Sequence, residues 1–358
     1  MTVNLDENVY NRVAGRDRPK LKVWSSVGLL LTYRCNAACR FCAYHCSPDR
    51  GGLMPVDLAI EVWEALKTMA GDRAQVHLSG GEPFLFWDRL VGILEAALRA
   101  GLGPVGMVET NGFWATDENQ IRTRLEVLDA LGVQRLKISC DPFHQEFVDL
   151  DRVRCLASIA RDRLGPGRVL IRWEDCLDGG PPDGSSESWV RCMSEHPCRF
   201  TGRAASDLAQ AVARRSVEDL RSDTCTRALL GAQGVHVDPW GHVFSGTCSG
   251  LIVGRVTDQP LDRIWRSLDP RTVPLVGTLL ESGPVGLLPG AVCRGYGPLP
   301  AYADKCHLCT HVREFLHGRG VEPAVLGPAE CYRPAPRPAR PGALLRGGIS
   351  PHPTQESL

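Results

Sequence analysis

The chain has 358 residues, 43% of them hydrophobic and 23% charged, with Lys+Arg and Asp+Glu balanced at 41 each. That suits one large or two moderate globular domains, and the balanced charge gives no electrostatic grip on nucleic acid or anionic lipid. No run of about 18 apolar residues is present to span a bilayer, and the start, MTVNLDENVYNRVAGRDRPK, lacks the apolar stretch of a secretory signal. A cytoplasmic location is therefore expected, where 15 cysteines point to metal or redox chemistry rather than disulfides.

After an N-terminal segment (1–22), short apolar runs alternate with amphipathic ones. Strands are expected at 23–33, 74–80, 104–112, 134–141 and 168–175. Helices are expected at 55–71, with Pro at its start and Gly at its end, at 87–101, at 116–132 with Thr116 as cap, and at 149–164. A Gly/Pro/Ser loop (177–188) precedes a weaker helix–strand pair ending near 199–204. Strands alternating with helices argue for a parallel sheet with right-handed crossovers. About six units suggest an α/β fold, a partial (β/α)6 TIM-like barrel over 23–221, with reactive groups at the C-terminal strand ends. Composition shifts near 222. GVHVDPWGHVFSG (234–246) reads as a hairpin turning at Pro239–Gly241, and 260–268 as a short helix, within a small C-terminal domain over 222–332. The tail 333–358, rich in Pro, Arg and Gly, is expected to be disordered.

LTYRCNAACRFCAYHC, from Leu31, places Cys35, Cys39 and Cys42 in C-x3-C-x2-C spacing just after the first strand. A structural zinc site takes four ligands, and ferredoxin-type runs supply four thiolates in other spacings. Three thiolates on one loop leave one iron of a [4Fe–4S] cluster without a protein ligand, an open position of the kind a reactive metal centre needs. Cys46 reads either as a redox partner or as a loop cysteine without a role.

This loop, with Phe41 before the third cysteine, resembles that of radical S-adenosylmethionine (SAM) enzymes. Four further motifs at strand ends carry the resemblance over about 25–205: HLSGGEPFL with Gly80, Gly81, Glu82 and Pro83; VETNG with Thr110 and Asn111; KISCD with Ser139; and TGRA with Arg203. The resemblance implies a SAM-binding [4Fe–4S] cluster on Cys35, Cys39 and Cys42. SAM would be held through Gly80–Pro83 and Ser139, and an electron from the cluster would cleave it to a 5′-deoxyadenosyl radical that abstracts a substrate hydrogen. Paired glycines let backbone approach a ligand closely, and the Glu82 carboxylate suits an ammonium.

Beyond the barrel, Cys225, a hairpin with Gly241, Cys248, and then Cys306 and Cys309 in C-x2-C spacing resemble the Twitch/SPASM extension. The resemblance implies a second, auxiliary [4Fe–4S] cluster on those four. A zinc site would use the same residues. Cys293 is an alternative ligand, Cys331 alone is too little for a further cluster, and His307 and His311 flank the C-x2-C.

Strand alternation turns Lys137, Ser139 and Asp141 inward and Cys140 outward. Asp141 and His144 then sit at the barrel mouth as candidate catalytic groups, a general base among them. Arg172 and Glu174 share one face of strand five, Arg172 to pair with the SAM carboxylate and Glu174 or Asp175 to bind substrate, unless the two pair with each other. Cys155, Cys176, Cys192 and Cys198 read as buried thiols. The favoured function is radical oxidation of a small sugar-, cyclitol- or nucleoside-like intermediate, assisted by the auxiliary cluster and fed by a flavodoxin- or ferredoxin-type donor. The alternatives are a maturase acting on a ribosomal peptide, disfavoured because only 34 residues precede Cys35, and a non-enzymatic iron–sulfur or zinc protein.

Overall fold

A computed structural model describes residues 3–179 and 185–332. The expected disordered tail lies outside the described residues, as does part of the 177–188 loop.

The parallel strands form where the apolar runs are: β1 (Ser26–Leu30), β2 (Gln75–Ser79), β3 (Met107–Thr110), β4 (Leu136–Ser139) and β5 (Val169–Arg172). The crossover helices Val56–Ala70, Trp87–Arg99, Glu118–Ala130 and Leu150–Leu164 start and stop on local signals. The first begins after Pro55 and ends at Gly71 with φ 59°; the last is capped by the Asp149 side chain and ends at Gly165 with φ 88°. Helix Glu118–Ala130 is capped by Asp117, whose carboxylate accepts from Gln120 N at 2.9 Å, so Thr116 is not the cap.

Among the described residues, eight strands form one sheet in the order β5-β4-β3-β2-β1-β6-β7-β8. Strands β6 (Gly234–Val237) and β7 (His242–Ser245) are the expected hairpin, and Ile252–Arg255 adds β8. The turn is set by Asp238, whose side chain accepts from Trp240 N and His242 N, each at 2.9 Å, with Gly241 at φ 83°. Strand β6 pairs in parallel with β1, Ser26 opposite Gly234 through Leu29 opposite Val237. There are thus six parallel strands, in keeping with the (β/α)6 class, but the sixth is supplied by the hairpin. No strand occurs at 199–204; Gly202 turns there at φ 55° into the short helix Arg203–Asp207. The sheet therefore runs across the 221/222 division without a break.

Strand β1, hydrogen-bonded on both sides, lies at the centre. Val27 and Leu29 are fully buried, and Gly28 faces two imidazoles: a Cβ there would lie 2.3 Å from His236 and 2.5 Å from His77. Trp24, Trp63 and Trp265 complete the core, and Trp265 Nε1 donates to Lys22 O at 2.9 Å. The N-terminal segment is tied to the C-terminal part, since buried Asn8 donates to Leu268 O at 2.9 Å and to Trp265 O.

Gly28→Val is expected to overpack this site, costing about 1–3 kcal/mol or more. Thermal unfolding of the metal-free chain checks it: the variant melts below wild type, and an unchanged midpoint contradicts the packing described.

Candidate functional site

The C-terminal ends of β2–β5 enclose a polar cleft of about 140 Å³. It gathers Gly80, Gly81, Glu82, Pro83, Thr110, Asn111, Ser139, Asp141, His144 and Arg172, together with Phe41, Ser79, Glu109 and Lys137. Arg203 is not among them.

Gly80 and Gly81 are required by the chain itself. A Cβ on Gly81 would lie 2.1 Å from Arg34 O, and one on Gly80, at φ 142°, 2.7 Å from Thr32 O. The turn is bonded there, Gly81 N donating to Thr32 O at 2.6 Å and Glu82 N to Arg34 O at 3.0 Å. The close approach is thus to the backbone leading into the cysteine loop. Glu82, 1% exposed, accepts from Phe84 N at 3.1 Å, Thr110 Oγ1 at 2.8 Å and Asn111 N at 2.7 Å, fastening the β2 turn to the β3 turn. Burial raises its pKa to about 7, against the pull of those donors. Asn111 Nδ2 donates to Asn36 Oδ1 at 2.9 Å and approaches Cys35 Sγ at 3.7 Å, joining the third strand end to the cysteine loop.

Asp141 caps the turn after β4. Its Oδ1 accepts from Phe143 N at 3.1 Å and His144 N at 3.0 Å, and its Oδ2 lies 2.6 Å from His144 Nδ1. Burial opposes charge on His144, but Asp141, with Cys39 beside it, holds its pKa well above the ordinary imidazole value. Asp141, His144 and Cys39 are thus contiguous. Lys137, turned inward as the alternation predicts, pairs with Glu109 at 3.1 Å; Glu109 was not foreseen, although its place in VETNG gives it the same inward parity.

Strand five departs from its expected alternation. Trp173 adopts φ 57°, β5 ends at Arg172, and the face is lost. Arg172 stacks over Trp173 at 4.1 Å and lines the cleft. Glu174 points elsewhere, to a surface ion pair with Arg161, so it pairs with neither Arg172 nor anything in the cleft. Asp175, Cys176 and His196 form a separate contact, with His196 Nε2 3.5 Å from both Cys176 Sγ and an Asp175 oxygen.

The cysteine loop is gripped from behind. Arg203, 3% exposed, donates from Nε to Cys39 O at 2.9 Å and from a terminal nitrogen to Cys46 O at 2.5 Å, and its backbone N to Cys42 O at 3.1 Å. A Cβ on Gly202 would lie 2.4 Å from Cys42 O. The TGRA segment therefore shapes the cysteine loop. Cys35 and Cys39 are buried, which raises both thiols. Cys42 falls well below the ordinary thiol range because the Cys46 thiol hydrogen-bonds it, with Arg203 adding to the effect; Cys46 is raised in turn.

Cys225, Cys248, Cys306 and Cys309 line a second cavity of about 700 Å³. Cys306 and Cys309 come from one face of helix Lys305–Gly318, capped by Asp304, and Cys248 from the turn after β7. Burial pushes the Cys225 thiol up to about 12 and raises Cys248 and Cys306 as well. Cys293 is exposed and Cys331 faces away, its Sγ 3.6 Å from Tyr33 Oη; neither lines this cavity. His307 and His311 contact each other with ring centroids 4.7 Å apart, outside it as well.

Two observations bear on what these thiols can hold. Among the described residues, the one set of three potential ligand atoms mutually within 4.8 Å is Asp175, Cys176 and His196. Zinc bonds of about 2.3 Å would place tetrahedral sulfurs about 3.8 Å apart, and neither cysteine set is drawn together that closely among the described residues. Further, Arg203 and Arg313 are buried beside the front and back thiols, make no ion pair with a carboxylate among the described residues, and each keep one nitrogen without a partner. A buried unpaired cation is costly, and anionic thiolates are the counter-charge at hand. Arg313 had a signal in the sequence, four residues after Cys309 and so on the same helical face.

The family model described as Radical SAM superfamily matches residues 29–164. A "Putative peptide biosynthesis protein YydG" of Bacillus subtilis (strain 168) is 25% identical over 138 residues, 38% of this chain and 42% of that relative. The chain thus matches about two fifths of that relative's length. Similar solved structures include BtrN in complex with AdoMet and 2-DOIA (15% identity, TM-score 0.46, 74% of this chain and 89% of that one) and Streptococcus suis SuiB bound to precursor peptide SuiA (12%, 0.35, 72% and 67%).

Because Glu82 binds its proton more tightly in the fold than in the unfolded chain, its contribution to stability is fully present below its ordinary pKa and is lost as pH rises towards about 7. Urea unfolding of the metal-free chain should show stability falling from pH 4.5 towards 7, and Glu82→Gln should flatten that slope. An equal slope in the variant contradicts the assignment.

Proposed function

We propose that the chain is a radical SAM enzyme that oxidises a small sugar-, cyclitol- or nucleoside-like intermediate, with an auxiliary iron–sulfur centre on the back cysteines. The observation that carries it is the convergence of Cys225, Cys248, Cys306 and Cys309 on one cavity, in the same sheet-built body as the radical SAM domain. Cys35, Cys39 and Cys42 would hold the SAM-binding [4Fe–4S] cluster. When bound, that cluster and SAM supply a hydrogen-abstracting 5′-deoxyadenosyl radical.

The chain's own residues do the rest. The β2 turn and Ser139 offer the cleft its polar wall. Arg172, the exposed last residue of β5, is the cation in the cleft for the SAM carboxylate. Glu82 has three donors already, so its remaining acceptor site is what an ammonium would find. His144, held by Asp141 at the cleft wall with its pKa raised, is placed to offer a proton to a substrate oxygen rather than to take one. Arg203 acts on the shape and charge of the cysteine loop. A flavodoxin- or ferredoxin-type protein is the proposed electron donor.

A second reading, modification of a peptide, is favoured by the sequence likeness to the putative peptide biosynthesis protein YydG. The two separate on substrate: turnover of a diol or amino sugar supports the first, and binding of a precursor peptide supports the second.

Reconstituted protein given SAM and dithionite is expected to form 5′-deoxyadenosine, and Cys39→Ala to fall to the level of enzyme-free controls. Wild-type protein that leaves SAM intact, or a Cys39→Ala variant that still cleaves it, contradicts the proposal.

A further inference from the structure

Arg313 lies in the wall of the back cavity, on the helix that carries Cys306 and Cys309. It is 4% exposed, whereas the other charged groups of that wall, Arg199, Arg227, Lys305, Asp223 and Asp304, are exposed or half-buried. One terminal nitrogen donates to Ser249 O at 2.8 Å and Tyr332 Oη at 3.1 Å, and the guanidinium lies near enough to Cys309 and Cys248 to interact with them electrostatically. The neighbouring acid, Glu314, is turned to His45 at 3.7 Å. Among the described residues the guanidinium's hydrogen-bond partners are thus neutral oxygens, and no carboxylate pairs with it. Its position is rigid, because Ser249 is bonded in turn to the front loop, its Oγ donating to Ala43 O at 2.7 Å.

From this geometry we infer that Arg313 is the fixed counter-ion of the back iron–sulfur centre and sets its reduction potential, making that centre the better electron acceptor. The inference rests on the reading that the four back cysteines hold such a centre. The physics is one of sign. One-electron reduction adds a negative charge to the centre without making or breaking a bond, and a buried cation beside the ligand thiolates stabilises the reduced form more than the oxidised one. The exposed Arg199 and Arg227 are screened by water and contribute far less, and the half-buried Lys305 less than Arg313. In the proposed oxidation, an electron left on substrate after hydrogen abstraction and deprotonation would pass to this centre, so a raised potential is what the step calls for. Arg313 is in this sense a positioning residue for charge, with no contact to substrate required.

The test uses the full-length Cys35→Ala/Cys39→Ala/Cys42→Ala chain, reconstituted anaerobically so that the back centre alone is loaded, and titrated with dithionite while the reduced centre is followed by EPR. Adding Arg313→Gln is expected to shift the midpoint potential downwards, and Arg313→Lys to leave it close to the parent. A parent without iron overturns both this inference and the auxiliary-centre reading. A loaded parent whose potential is the same with Arg313→Gln overturns this inference alone. If Arg313→Gln fails to load while Arg313→Lys loads, positive charge is required to hold the anionic centre, and the counter-ion role stands. If neither loads although circular dichroism shows both folded, the side chain acts by shape and the role is overturned.

Discussion

The parallel pairing of β1 with β6 is the contact on which the rest of the molecule depends. Strand β1 leads directly into the front cysteine loop, and β6 begins the hairpin whose end delivers Cys248. Joining them edge to edge makes one continuous sheet of what the chain supplies in two separated segments, and it fixes the two cysteine sets relative to each other through backbone hydrogen bonds. The pairing has a steric condition. Only a residue without a Cβ fits at Gly28, between His77 of β2 and His236 of β6. Ser249 and Arg313 then reinforce the connection on the C-terminal side of the sheet, where Ala43 O accepts from Ser249.

Around this frame the two cysteine sets share an electrostatic design. Each is at least half-buried, each has a buried arginine beside it, and neither arginine has a carboxylate partner among the described residues. Burial alone works against thiolates; a guanidinium in the same shell works for them. Arg203 reaches the front set through the carbonyls of Cys39 and Cys46 and lowers Cys42, while Arg313 acts on Cys309 and Cys248 by its charge. On the proposed function these sites would hold anionic metal centres, whose charge the two buried arginines would offset.

Much of the site was legible in the sequence because each motif is local: a strand end, a turn and two to four residues that carry chemistry. The cleft collects Gly80–Pro83, Thr110, Asn111, Ser139, Asp141, His144 and Arg172 for that reason. What was not legible depends on contacts between distant segments or on backbone conformations without a sequence signature. The motif with Arg203 looked like a sixth strand end, but its arginine and Gly202 are consumed in holding the cysteine loop. Nothing local announces that a hairpin strand will fill the sixth place beside β1. Glu174 was misplaced because alternation presumes extended backbone, and Trp173, an aromatic residue in the left-handed region, breaks it. The glycines of the β2 turn were assigned to ligand approach, whereas their first obligation is to Arg34 and Thr32.

The measurement that tests the account most directly is iron and sulfide content with Mössbauer spectroscopy on the reconstituted Cys35→Ala/Cys39→Ala/Cys42→Ala chain. The account predicts about four irons per chain in a single [4Fe–4S] environment, lost again when Cys306 and Cys309 are also replaced. An iron-free triple variant that folds as wild type would contradict it, leaving the back cysteines without a cluster and the oxidation mechanism without its electron acceptor.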